Sequence, residues 1–266
     1  MLAIRRHFRY EERDQVAYVT FERADRLNVG AFEVYEQIRE LADQLARRPD
    51  EVRVLVLRGE GAGFCSGADL EVLIGKLLEL DAPWAYDSAR LTSECVRGLR
   101  EMPQPVLAAV NGIAAGPGAV LALAADIRIL AERASFQFLF PRVGIAGGDL
   151  GICWLLPRLI GYGRATELLL LGDPIDAEIA LEHGIATRVV RDVKLAAEVE
   201  RYVRRLKDVA PWGLAMTKEM LDRATTPDGA EPAEAGELVA PWLSAKDFRE
   251  FRAGFLGKKR PALNGR

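Results

Sequence analysis

The chain is poor in the residues on which much of enzyme chemistry relies. Only two histidines occur in 266 residues, His7 and His183. His183 precedes Gly184 at an expected helix C-terminus, where a cap is the plain reading. The three cysteines, Cys65, Cys95 and Cys153, lack the short paired spacing of zinc sites or small disulfide frameworks, so no metal is expected and a reduced, cytoplasmic protein is. Charge of one sign is not in excess: 36 Lys and Arg oppose 39 Asp and Glu, a net of -3. That balance argues against nucleic acid as a partner. Long apolar runs are missing as well. The N-terminal ten residues carry Arg5, Arg6 and Arg9 without the apolar stretch of a secretory signal. The longest apolar run, residues 106–125, contains Asn111 and the cluster Gly116, Pro117, Gly118, which no membrane span would keep at its centre.

Several familiar sites are excluded by pattern. Residues 61–67 have neither the GxGxxG spacing of a dinucleotide fold nor the Gly-Lys-Ser/Thr ending of a P-loop. Ser66 has no GxSxG surroundings and no histidine to pair with.

Half the residues are apolar and 28% charged, enough for a sizeable core. Residues 16–21 read as a strand. The apolar positions Val34, Ile38, Leu41 and Leu45 recur at steps of four, three and four, which predicts a helix closed by Pro49. Residues 52–57 form a short β-branched run, a buried strand, leading into Gly59, Gly61, Gly63 and Gly67. The logic repeats: a helix with Leu91, Cys95 and Leu99, a break at Pro103 and Pro105, a buried strand over 106–110, then Gly112, Gly116 and Gly118. A further strand over 126–130 precedes Gly144, Gly147, Gly148 and Gly151 and an apolar helix through Leu159. From Arg164 onward the pattern is almost entirely helical. This predicts an α/β core over residues 1–195 and a helical C-terminal subdomain over 196–266, with 225–236 as a solvated connection.

Glycine-bearing loops after buried strands line the crevice where ligands bind in parallel-sheet proteins. Their amide groups could converge on one oxygen and stabilise an enolate or tetrahedral oxyanion. The same glycines could equally serve only to turn the chain.

Three stretches carry a resemblance: Phe64-Cys65-Ser66-Gly67-Ala68-Asp69-Leu70; Asn111-Gly112-Ile113-Ala114-Ala115-Gly116-Pro117-Gly118; and Leu156-Pro157-Arg158-Leu159-Ile160-Gly161 through Leu171-Gly172-Asp173. Together, over nearly the whole chain, they resemble the enoyl-CoA hydratase/isomerase (crotonase) family. The resemblance implies a spiral of ββα units with a helical C-terminal trimerisation subdomain, a homotrimer or dimer of trimers, and an acyl-CoA thioester as ligand. Coenzyme A is then part of the substrate, and no separate cofactor is implied. Carried over, Ala68 supplies one oxyanion-hole amide; Ser66, Ala68, Leu70 and Gly116 line the ligand path; Arg26 lies near the CoA phosphates; Lys258 reaches a neighbouring subunit's nucleotide.

The sequence also departs from the family. The second oxyanion amide falls on Pro117, which has no N–H, so Gly118 would have to donate instead. The two glutamates of the hydratases fall on Val120 and Phe140. One carboxylate, Asp149, remains nearby, suited either to acid/base work or to capping the helix that follows. Asp69 reads as a loop-ordering acceptor. Leu73, Leu77, Trp84, Phe138, Phe140 and Trp154 are apolar candidates for an acyl pocket. Isomerisation suits one carboxylate better than hydration does; a catalytically silent acyl-CoA binder is the alternative.

Overall fold

The computed structural model describes residues 8–28, 33–67, 82–143 and 149–224, with the backbone alone at 82–89, 143 and 149. The helical expectations beyond residue 224 lie outside the described residues.

Strands β1 (Arg9–Arg13), β2 (Val16–Phe21), β3 (Val54–Gly59), β4 (Val106–Val110), β6 (Ile127–Ala131) and β9 (Arg188–Val190) form one sheet in the order β1-β2-β3-β4-β6-β9. The β1–β2 pair is antiparallel and every later pair parallel. A smaller sheet holds β5 (Ile113–Ala115), β7 (Ser135–Gln137) and β8 (Ile175–Asp176). A parallel bridge between Cys65 and Ala114 extends it. Successive turns of chain therefore give one segment to each sheet: β3 then Cys65, β4 then β5, β6 then β7. This is a spiral of two-strand-and-helix repeats.

Strands β2, β3, β4 and β6 are buried along most of their length, which is why they read as apolar runs rather than alternating ones, whereas β9 at the edge is not. One face, with Ala17, Val19, Leu55, Leu57, Ala108, Val110 and Leu130, joins the main core beneath α1 (Glu33–Ala46) and α2 (Ala82–Glu101). The other face, with Val56, Leu107 and Ile129, is covered by Leu195, Val199 and Val203 of a helix we label α7 (Leu195–Lys207). The apolar run of residues 106–125 resolves into β4, β5 and α3 (Pro117–Ala124). In that helix every residue after Pro117 is buried, as an apolar surface all round requires.

The expectation of an almost wholly helical chain after Arg164 is corrected. Between α5 (Tyr162–Leu171), α6 (Ala177–Glu182) and α7 the chain returns twice to the sheets, as β8 and β9. Both are two or three residues long, too short for periodicity to register. His183 is the C-cap of α6, as expected.

The last described helix, α8 (Pro211–Ala224), is held by a buried cation. Lys218 Nζ donates to Leu99 O (2.9 Å) and Gln104 O (3.0 Å) and pairs with Asp126 Oδ2 at 2.9 Å. Burial pulls this amine below its ordinary range, and Asp126 opposes the shift. Arg100 bridges Asp126 and Asp222, so the end of α2, the start of β6 and α8 share one ionic cluster.

Candidate active site

The site is made where two strand-end loops close on each other. After β3 the chain turns through residues 60–67; after β4 it turns through 111–116. Phe64 and Cys65 donate their amides to Ile113 O at 3.0 and 3.1 Å, and Ala115 donates to Cys65 O at 3.0 Å. Glycine permits this closeness: a Cβ on Gly118 would lie 2.1 Å from Cys65 O. Gly67 has φ +96° and faces the ring of Pro117, whose Cδ would be 3.1 Å from a Cβ there.

These contacts show what main-chain chemistry is available. Pro117 is the first residue of α3, a position that normally carries an unpaired N–H; here a ring methylene replaces it. Gly116 donates to Gln137 O (2.7 Å) and Val120 to Gly116 O (3.1 Å), so both amides are engaged. Among the described residues no acceptor meets the Gly118 N–H. It sits at the positive end of a buried apolar helix, a favourable place for negative charge.

Ser66 is half-buried. Its amide donates to Leu27 O (3.0 Å) and its hydroxyl to Arg26 O (3.3 Å), which brings Arg26 and Ser66 together and commits the serine proton to a carbonyl. Burial pushes the Cys65 thiol up to about 11, an effect the Gly67 amide partly opposes; at neutral pH it is not a nucleophile. Val120 and Phe140 are 0% and 3% exposed and belong to the main core, as does Phe138.

Asp149 opens the 3-10 turn Asp149–Gly151 ahead of α4 (Ile152–Ile160). The N-cap of α4 is Gly151, and no side chain caps it. The side chain of Asp149 lies outside the described residues. Leu150, Gly151 and Trp154 line a cavity of about 740 Å³ whose other walls come from α2, including Val96, from Met102 and Pro103 just after it, and from α8. Arg158 lies 4.1 Å over the Trp154 ring. Ala68, Asp69, Leu70, Leu73, Leu77 and Lys258 lie outside the described residues, and so does the side chain of Trp84.

Residues not singled out from the sequence complete the loop structure. Asn28 Nδ2 donates to Glu60 O and Gly63 O, both at 2.8 Å. Asn111 Nδ2 donates to Gly61 O (2.9 Å) and Gly63 O (3.0 Å). Arg133 donates to Asn111 O (2.7 Å) and Gly61 O (3.2 Å). Asn111 opens one of the stretches that carry the resemblance, but the sequence assigns it no role, and Asn28 shows only as an asparagine in a turn. Among the described residues, no three His, Cys, Asp or Glu gather as a metal site, and no helix is long and apolar enough to cross a membrane.

A parallel-sheet spiral whose loops after adjacent strands pack against each other defines an α/β protein of the crotonase fold. Comparison with known proteins agrees. The model of the enoyl-CoA hydratase/isomerase family matches residues 11–266. The chain is 37% identical over 256 residues to the 1,2-epoxyphenylacetyl-CoA isomerase of Escherichia coli K12, covering 94% of this chain and 95% of that one. It is 30% identical to the trans-2-decenoyl-[acyl-carrier-protein] isomerase of Streptococcus mutans, covering 97% of each. The crystal structure of an enoyl-CoA hydratase from Bacillus anthracis superposes with a TM-score of 0.88 at 27% identity, covering 98% of this chain and 100% of that one. The chain belongs to the enoyl-CoA hydratase/isomerase family.

Proposed function

We propose that the protein is an isomerase of acyl-CoA thioesters that uses main-chain donors and a single carboxylate. The observation that carries this is the pairing of the 60–67 and 111–118 loops, with core side chains at both places where hydratases of the family keep glutamates. The thioester oxygen accepts hydrogen bonds from the amides of Ala68 and Gly118. The carbon next to the carbonyl is thereby acidified, because the enolate oxygen is held by donors that need no reorganisation. The Asp149 carboxylate takes a proton from one carbon and returns it at another, so the double bond moves and no water is added. Arg26 and Lys258 meet the CoA phosphates, with Ser66, Leu70 and Gly116 along the path, and Phe140 stands where a second carboxylate would act. The E. coli and S. mutans relatives are named isomerases and relatives of 34–35% identity are named probable enoyl-CoA hydratases, so the preference for isomerisation rests on the residues at positions 120, 140 and 149 of this chain. A homotrimer or dimer of trimers is part of this reading.

A second reading is favoured by Pro117: with one family donor replaced by a ring methylene, the protein would hold acyl-CoA without turning it over. Incubation with a panel of unsaturated acyl-CoAs, followed by chromatography coupled to mass spectrometry, separates the possibilities. An isomerase gives a separately eluting product of unchanged mass, and a hydratase adds the mass of one water. Binding by calorimetry with no product from any thioester would overturn the isomerase reading.

A further inference from the structure

We infer that Asn28 and Asn111 are positioning residues for the oxyanion loop, acting as a two-sided brace on Gly63 O, with Arg133 as an outer strut. The inference rests on the proposal that residue 68 binds the thioester oxygen.

Three carbonyls of one short loop, Glu60 O, Gly61 O and Gly63 O, are the targets. Gly63 O receives both asparagine side chains, at 2.8 and 3.0 Å, one from the loop after β2 and the other from the loop after β4. Glu60 O and Gly61 O take the second proton of each amide. Because each Nδ2 faces two carbonyls, the amide orientation is fixed by its partners: an oxygen there would oppose lone pairs to lone pairs. Both Oδ1 atoms are buried with no hydrogen-bond partner, so each side chain serves these carbonyls alone. Asn28 is 2% exposed and holds φ +59°, an unusual conformation for a side chain that merely fills space. Arg133 closes the system from outside, donating to Asn111 O and Gly61 O and pairing with Asp192 at 3.3 Å.

The consequence lies downstream. Gly63 is followed directly by Phe64, Cys65, Ser66 and Gly67, each fixed to the 111–118 loop or the 23–28 turn, and then by Ala68. A brace on the first residue of this run sets where its last amide points. Gly63 also packs between Leu27 and Ile113, and the two asparagines add directional hydrogen bonds from both neighbouring loops to that packing. Misplacing a catalytic group by about 1 Å can cost about a hundredfold in rate, so this brace should govern turnover rather than affinity.

Asn28→Asp and Asn111→Asp keep the shape and remove both donors. Arg133→Met, at a half-exposed side chain, is a milder companion that keeps the chain folded. Three readouts are taken on the full-length protein: kcat and KM on an isomerised acyl-CoA, thermal unfolding, and the infrared carbonyl band of bound phenylacetyl-CoA labelled at its carbonyl carbon. The expected result is that kcat falls about a hundredfold for the asparagine variants and about tenfold for Arg133→Met, with KM nearly unchanged. The bound carbonyl band should also move back toward its position in water. If the wild-type band shows no shift on binding, the oxyanion reading itself fails. If the wild type shows the shift and the folded Arg133→Met variant retains both shift and kcat, with the asparagine variants doing the same or failing to fold, the brace is refuted.

Discussion

Gly118→Ala tests the joining of the two loops at its tightest point. The added Cβ would start 2.1 Å from Cys65 O, whereas carbon–oxygen contacts in proteins settle at about 3.3 Å or more. The start of α3 and residue 65 must therefore part by roughly 1.2 Å, a figure that follows from that contact distance. The atom struck is backbone, and it already accepts the Ala115 amide, so no side chain can swing aside. Overpacking of this kind costs about 1–3 kcal/mol, and a displacement of this size at a catalytic group costs about a hundredfold in rate. Gly98→Ala is the control. It too lies within a helix, but its Cβ would meet Ala42 Cβ at an ordinary 3.4 Å, so it should gain up to about 1 kcal/mol from helix propensity. Urea unfolding and kcat/KM on an acyl-CoA would be measured for both. Wild-type turnover in Gly118→Ala would refute the claim that these loops together form the site.

Other expectations follow from the same structure. Asp149→Asn should lower turnover about a hundredfold, as loss of a general acid/base does, with calorimetry showing acyl-CoA affinity nearly intact; unchanged turnover would remove this carboxylate from the mechanism. Lys218→Met deletes the buried cation that joins α8 to Asp126, Leu99 O and Gln104 O. It should cost about 3 kcal/mol in urea unfolding, against under about 1 kcal/mol for an exposed pair. Glu12 is held below its ordinary 4.5 chiefly by hydrogen bonds from Arg48, helped by the Tyr10 hydroxyl. Its folded value lies below the unfolded one, so the stability it contributes is present above 4.5 and lost as pH falls through the folded value. Glu12→Gln should accordingly flatten that acid limb of the stability curve; a limb of unchanged steepness would count against the pair.

What could be read from the sequence follows the physics of each element. The parallel strands β2, β3, β4 and β6 stand out because burial along most of their length makes them apolar runs, and α1 stands out because Val34, Ile38, Leu41 and Leu45 share one buried stripe. β1 was not visible: Arg9–Arg13 is an exposed, largely charged edge strand with no apolar alternation. β5, β7, β8 and β9 are each two or three residues long and are stabilised by their neighbours rather than by local preference. In the site, the glycine loops and the changes at Pro117, Val120 and Phe140 were legible, since each is a statement about one residue's chemistry. The roles of Asn28 and Asn111 were not. An asparagine beside a turn fits a local role, whereas these two donate to carbonyls 32 to 50 residues away.

The central claim is that a polarised thioester gives up a proton to one carboxylate, and hydrogen exchange observes that step without requiring the natural substrate. Phenylacetyl-CoA would be incubated in heavy water and its α-protons followed by proton NMR, with wild type and Asp149→Asn compared at equal saturation. Exchange catalysed by the wild type and reduced about a hundredfold in the variant is the predicted result. Equal exchange by the two proteins would contradict it, as would none by a wild type shown to bind the thioester.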